Sequence, residues 1–410
     1  MKKKLFYFVL GFILLTACEK KTDPVIEVKN TLEIDRNNEM VEVNIKELPD
    51  FYRDKNTIIV VDSAGTEIPF QFTYDDKLIF LASIPANSVS KFTIKKGTPQ
   101  KFPNKAQGRQ YPERLDDMAW ENDVMGFRAY GPSLQQTGET SYGYDLFPKR
   151  GTDLPVLDTL YAKETDEETR KLSNELKETD PERSLKLWQS ISYHYDRGYG
   201  LDCYSVGPTL GSGVTALMKG DTIVYPYCYK DYKILDNGPL RFTVKLTFTP
   251  LVYDNEEVIE QRVISLDVGS QLNKTKITYD GLTKESLLGT GIVLHDSIQR
   301  INIAPNKRYM SYIDPTNTPD KSNGEIFVGA VFPKSAKEMK TLPFDEEKIK
   351  AIKAYGHLLA INTYVPNEPF VYYWGAGWTK GSIPTEKDWI TYLQNFEKSI
   401  DNPLQVTVVK

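Results

Sequence analysis

The sequence predicts an all-β-dominated chain: a small N-terminal β-sandwich, then a large two-sheet sandwich with a few helices. Three observations lead there. Apolar and polar residues alternate with period two from about Thr31 to Gly97, and the larger region from about Tyr111 also reads mostly as strands. Turn residues such as Asp62-Ser63-Ala64-Gly65 and Tyr74-Asp75-Asp76 separate the alternating runs of the first hundred positions, the spacing of a small sandwich. Helical patterning is confined to three stretches in the second part.

The chain opens with Lys2, Lys3 and Lys4, then an uncharged run from Leu5 to Leu15, which is too short to cross a bilayer comfortably. Leu15-Thr16-Ala17-Cys18 reads as a lipobox. Cleavage after residue 17 leaves Cys18 for acylation, and several acyl chains together give stable anchoring. The expected location is the periplasmic or outer face of an outer membrane. Cleavage removes three Lys and no acids, taking the net charge from −5 to −8. Residues 18–30 read as a lipid-anchored tether.

Residues 31–100 hold the small sandwich, with strands read in "MVEVNIKEL", "NTIIVVDS", "EIPFQFTY", "KLIFLASI" and "SKFTIKKG". A basic, Pro-containing linker follows, and residues 101–410 form the large domain. Its strands include "RFTVKLTFTPLVY", "VIEQRVISLDV", "KTKITYD", "GEIFVGAVF" and "LLAINTYV". Its helical stretches are "DEETRKLSNELKETDPERSLKLWQSI", interrupted by Pro181, then "FDEEKIKAIKAYG", and a last one capped by Thr385 with Trp389, Leu393, Phe396 and Ile400 on one face. The strand "LQVTVV" closes the chain.

Composition excludes several functions. Three His and three Cys are too few for a disulfide framework or a zinc-finger array. An acidic balance argues against unaided binding of nucleic acid. No cofactor is expected, since no metal-ligand run, P-loop or GxSxG elbow is present; a divalent metal held in part by His194 and Asp196 is the alternative. Cys203 and Cys228 are either a disulfide pair, as an oxidising compartment allows, or two buried thiols.

Three segments pack polar, aromatic and Gly residues more closely than ordinary core. "RLDDMAWENDVMGFRAYGP" offers Trp120, Glu121, Asp123 and Arg128, and strand alternation places Glu121 and Asp123 on one face. The second, "SYHYDRGYGLDCYSVGPTLGSGVTAL", carries His194, Asp196, Arg197, Asp202 and Tyr204. Read as a strand, it puts His194 and Asp196 together as a base and its orienting carboxylate. In "PFVYYWGAGWTKGS", Trp374 and Trp378 flank glycines ahead of Lys380, a platform for stacking a sugar face. His295 and His357 sit at strand ends, where either joins a cleft or serves the core.

These segments, together with "GTGIVLH" and an "ELP" near the start, resemble a family of exported Bacteroidota proteins catalogued as a domain of unknown function. The resemblance covers nearly the whole mature chain. It implies a galactose-mutarotase-like or lyase-type β-supersandwich, and similarity to ulvan oligosaccharide dehydratases encoded beside polysaccharide lyases and glucuronyl hydrolases. The implied reaction removes water from the non-reducing-end uronate of an oligosaccharide. Such an elimination needs a base at C5, a cation on the carboxylate and an acid at O4. His194 is the expected base. Arg128, Arg197 or Lys380 supplies the cation, and Tyr204 or His295 the acid. Trp120, Glu121, Asp123, Asp196, Asp202, Trp374 and Trp378 complete the expected sugar site. The alternatives are a polysaccharide lyase, an epimerase or mutarotase, and a non-catalytic glycan-binding lipoprotein.

Overall fold

The computed structural model describes residues 22–150, 155–317 and 322–409. The export segment and Cys18 lie outside the described residues. The architecture is predominantly β, with five antiparallel sheets among the described residues.

Near the N-terminus, a five-stranded sheet runs in the order Gln405–Val409, Val25–Lys29, Val89–Lys96, Ile58–Val61, Glu67–Ile68. A three-stranded sheet, Arg36–Asn44, Lys77–Ile84 and Phe70–Phe72, accompanies it. Alternation drives this packing: Ile26 and Val28, Val41 and Val43, and Phe92 and Ile94 turn one face of each strand into a shared core. The closing strand belongs here, with Val28 opposite Val406 and both Val406 and Val408 against that core.

The larger part faces a five-stranded sheet against a nine-stranded one. Val214, Ala216, Leu288 and Ile292 of the first share one core with Val244, Ile264, Ile277 and Tyr372 of the second. The long strand Glu256–Asp267 buries alternate residues along most of its length, as a sheet with one wet face requires. The strand Phe370–Trp378 departs from this, because it is central in the nine-stranded sheet and its outer face is also covered. The cover is the helix Glu386–Asp401. Thr385 caps it by accepting from the Asp388 N–H at 3.2 Å. Trp389 and Leu393 are fully buried against Ile313, Phe327 and Val331, each contributing roughly 1.5–3 kcal/mol.

A four-stranded sheet, Tyr144–Pro148, Met125–Ala129, Asp117–Glu121 and Gln107–Tyr111, abuts this core. Trp120 and Phe127 point into the sandwich, and Phe127 meets Trp374 edge-on at 5.2 Å. The opposite face carries Tyr111 and Phe147 against Tyr161 and Tyr193. The charged helical stretch is two helices, Glu167–Leu176 and Pro181–Ile191. Pro181 starts the second, where its missing N–H costs nothing, and Asp180 caps it. The short helices Pro132–Gln136 and Leu157–Glu164 have no strong periodic signal in the sequence.

Candidate functional site

Arg128 anchors the site. Strand pairing sets it directly opposite Asp145, and its guanidinium lies buried among three carboxylates. Nε donates to Asp145 at 3.0 Å, Nη1 to Asp117 at 3.4 Å, and Nη2 to Asp202 at 3.0 Å. The hydroxyls of Tyr193 and Tyr130 accept from it at 3.1 and 3.3 Å. One guanidinium cannot neutralise three buried carboxylates. Burial, with repulsion from Asp145, pushes Asp202 up to about 7 against the pull of Arg128 and His194. Burial raises Asp117 to about 6 despite Arg128 and Arg114. One oxygen of each, Oδ1, has no hydrogen-bond partner among the described residues. The cluster therefore holds a proton near neutral pH.

Beside this cluster runs the loop between the helix Pro181–Ile191 and the strand Ser212–Lys219. Gly200 lets it approach the four-stranded sheet: its φ is +125°, and a Cβ there would stand 2.2 Å from the Pro148 carbonyl oxygen. His194 Nδ1 lies 3.0 Å from the Asp202 backbone carbonyl and 3.8 Å from its carboxylate. An acceptor at Nδ1 assigns the proton there and leaves the Nε2 lone pair free. The side chain is 43% exposed, so that lone pair is accessible.

A second histidine contacts the same loop at Tyr204 and Ser205. His295 Nδ1 is 2.6 Å from Asp314 Oδ2, and the Ser205 backbone provides another acceptor. Burial works to lower the pKa of His295, but Asp314 and Ser205 outweigh it and raise it. The Tyr204 ring meets this imidazole edge-on at 5.4 Å. The Tyr204 hydroxyl is buried without a hydrogen-bond partner among the described residues. A base with an exposed lone pair and an acid-stabilised imidazole thus flank one short stretch of chain.

Several expected placements are corrected. Asp196 does not orient His194; it accepts from Arg150 Nε at 2.9 Å and from the N–H groups of Gly198 and Gly200. Period-two reasoning fails because residues 192–202 form turns rather than a strand. Glu121 and Asp123 do not share a face, since the strand ends at Glu121. Glu121 is buried, pairs with Lys149 at 2.6 Å and accepts from the Val156 and Leu157 N–H groups. Asp123 accepts from the Gly269 N–H. The tryptophan platform is core: Trp120, Trp374 and Trp378 are at most 1% exposed, and their indole N–H groups donate to Asn273, Thr275 and the Asn323 carbonyl. Lys380 donates to the Ser322 carbonyl, and Arg197 to those of Gln189 and Tyr195. Cys203 and Cys228 are free, buried thiols, and burial raises the pKa of both. His357 is structural: buried and pushed down to about 3, its Nε2 accepts from the Leu210 N–H at 3.1 Å.

Asp117, Asp145, Asp314, Tyr130 and Tyr193 escaped the sequence reading. Asp117 lay inside a segment already singled out. Asp314 carried no local signal, because its partnership with His295 spans two different strands.

The family described as "Domain of unknown function (DUF4861)" matches residues 28–406. The chain belongs to the DUF4861 family. Similar in sequence to this DUF4861 chain is "Uncharacterized protein P7" of Formosa agariphila, 26% identical over 426 residues, with 98% of each chain covered. Two solved structures share a distant likeness. A protein in glycosyl hydrolase family 38 from Enterococcus faecalis has a TM-score of 0.45 at 9% identity, covering 95% of this chain and 48% of that one. An alpha-mannosidase from Enterococcus faecalis V583 has a TM-score of 0.43 at 10% identity, covering 95% and 46%. The DUF4861 chain spans about half the length of these two structures.

Proposed function

We propose that this DUF4861 protein is a lipid-anchored hydro-lyase that removes water from the non-reducing-end uronate of ulvan-type oligosaccharides. The observation that carries the reading is His194: an exposed imidazole whose Nδ1 faces the Asp202 carbonyl, leaving Nε2 to accept a proton. His194 Nε2 takes the C5 proton. The C5–H electron pair forms the C4=C5 bond, the C4–O4 bond breaks, and O4 leaves as water with a proton from the His295 imidazolium. Tyr204 is the second candidate donor. The C5 proton becomes acidic only when the neighbouring carboxylate is neutralised. Arg128 is saturated by its own carboxylates, so it is a positioning residue. Arg197, whose donors meet only carbonyls, is the loop's remaining cation for the substrate. With the tryptophans buried, a purely stacking, non-catalytic role loses its main support.

The test is mass spectrometry of saturated uronate oligosaccharides after incubation. Loss of one water per chain is expected from the wild type. His194→Ala is expected to lower that rate by about 10²–10⁴. Cleavage into shorter fragments would instead support a polysaccharide lyase, and wild-type turnover in His194→Ala would remove the base.

A further inference from the structure

A groove of about 390 Å³ is lined by no residue of the His194 loop and by none of the cluster around Arg128. It runs between the small sandwich, the outer face of the nine-stranded sheet and the C-terminal helix. Its size suits a sugar or a short oligosaccharide.

The charges in this groove are unequally satisfied. Glu39 pairs with Arg36, and Glu42 with both Lys77 and Arg241. Asp75 is taken by Lys77 and Asp267 by Arg241. Asp35 accepts from the Ala86 N–H. Lys274 and Lys276 remain, with no carboxylate in ion-pair distance among the described residues. They stand two residues apart on the strand Leu272–Asp280 and so share a face. Register places Ser265 and Tyr373 on either side of Lys274 in neighbouring strands, and both line the groove. Burial, with repulsion from Lys276, Arg241 and Lys77, holds Lys274 below the ordinary lysine range despite Glu42. Two partly buried ammonium groups with no carboxylate in ion-pair distance attract an anion more strongly than fully solvated surface lysines do.

We propose that this groove is a second binding site, for the carboxylate or sulfate of a sugar residue, with Lys274 and Lys276 on the anion and Tyr373 beside the ring. The saccharide part rests on the reading of the protein as carbohydrate-active. The site is non-catalytic and would hold a longer chain while its end is processed.

The test titrates the full mature protein with glucuronate, glucose 6-sulfate, inorganic sulfate and glucose by calorimetry. The acidic sugars are expected to bind, with affinity falling as salt rises. Lys274→Met/Lys276→Met is expected to weaken that binding at least about tenfold, with elimination on a short uronate oligosaccharide unchanged. His194→Ala should do the reverse. Should the double variant misfold, Lys274→Gln alone carries the same expectation. Equal affinity in wild type and variant, or glucose binding as tightly as the acidic sugars, overturns the site. Inorganic sulfate binding as well as glucose 6-sulfate overturns the sugar part. If no water is lost from any uronate while the lysine variant still loses acidic-sugar binding, the reaction fails and the groove stands.

Discussion

Asp202→Asn isolates the proton held by the Arg128 cluster. Asp202 titrates at about 7 in the folded chain and near 3.8 in an ordinary peptide. Between these values the folded chain binds the extra proton. The stability from Asp202 is therefore fully present below pH 4 and is lost as pH rises through 7. That interval sets a ceiling on the order of 4 kcal/mol. The proton is shared with neighbouring carboxylates, so a single substitution should release less than that ceiling. Asn imitates the protonated acid, and the variant should match wild type below about pH 4 and gain on it as pH rises towards 7, with the difference levelling off above. The assay is thermal unfolding of both proteins across that range. A few degrees are expected, since about 1 kcal/mol moves a midpoint by roughly 2–4 °C in a domain of 150–250 residues and by less in a longer chain. His357 works in the opposite direction. Its value of about 3 lets the unfolded chain bind more protons up to pH 6.5, so its contribution is lost on acidification. That effect is common to both proteins and cancels in their difference. A difference that stays constant from pH 5 to pH 8, or a variant less stable throughout, would refute the shared proton and make the Arg128–Asp202 pair an ordinary ion pair.

Two further outcomes follow from the placements. Asp196→Asn should leave turnover near wild type, because its carboxylate closes a turn with Arg150 and does not touch His194; the cost is about 1 kcal/mol of stability, read by denaturant unfolding. Trp374→Ala should lower stability by about 3–5 kcal/mol without changing the sugar affinity of the folded protein, measured by calorimetry below the transition.

Much of the architecture was legible because one-sided burial writes itself into alternation. Glu256–Asp267 and Leu272–Asp280 bury alternate residues, and that pattern alone predicts strands over most of both. The C-terminal helix was equally plain, since Thr385 and the spacing of Trp389 and Leu393 state its start and its buried face. Leu157–Glu164 was not legible. Its first N–H groups are satisfied by Glu121, 36 residues upstream of Leu157, so the usual local cap is absent.

The site was half legible, and the reason is local against non-local pairing. Sequence proximity suggested His194 with Asp196, yet alternation orders side chains only along extended backbone. Here residues 193–195 turn, and the positive φ of Gly198 and Gly200 bends the chain between Asp196 and Asp202. The carboxylate that reaches His194 is Asp202, brought back by the Asp202 N–H donating to the Tyr193 carbonyl at 2.9 Å. The glycines of this loop give the chain room to fold onto itself. Aromatic content misled in a related way: indole rings beside small residues suit a sugar face, but they also suit a tight core. Gly213 shows which applies to Trp374, because a Cβ there would lie 2.9 Å from the Trp374 Cβ. A glycine that makes way for a tryptophan marks packing, whereas the carboxylates sharing one guanidinium around Asp202 leave a proton in the cluster.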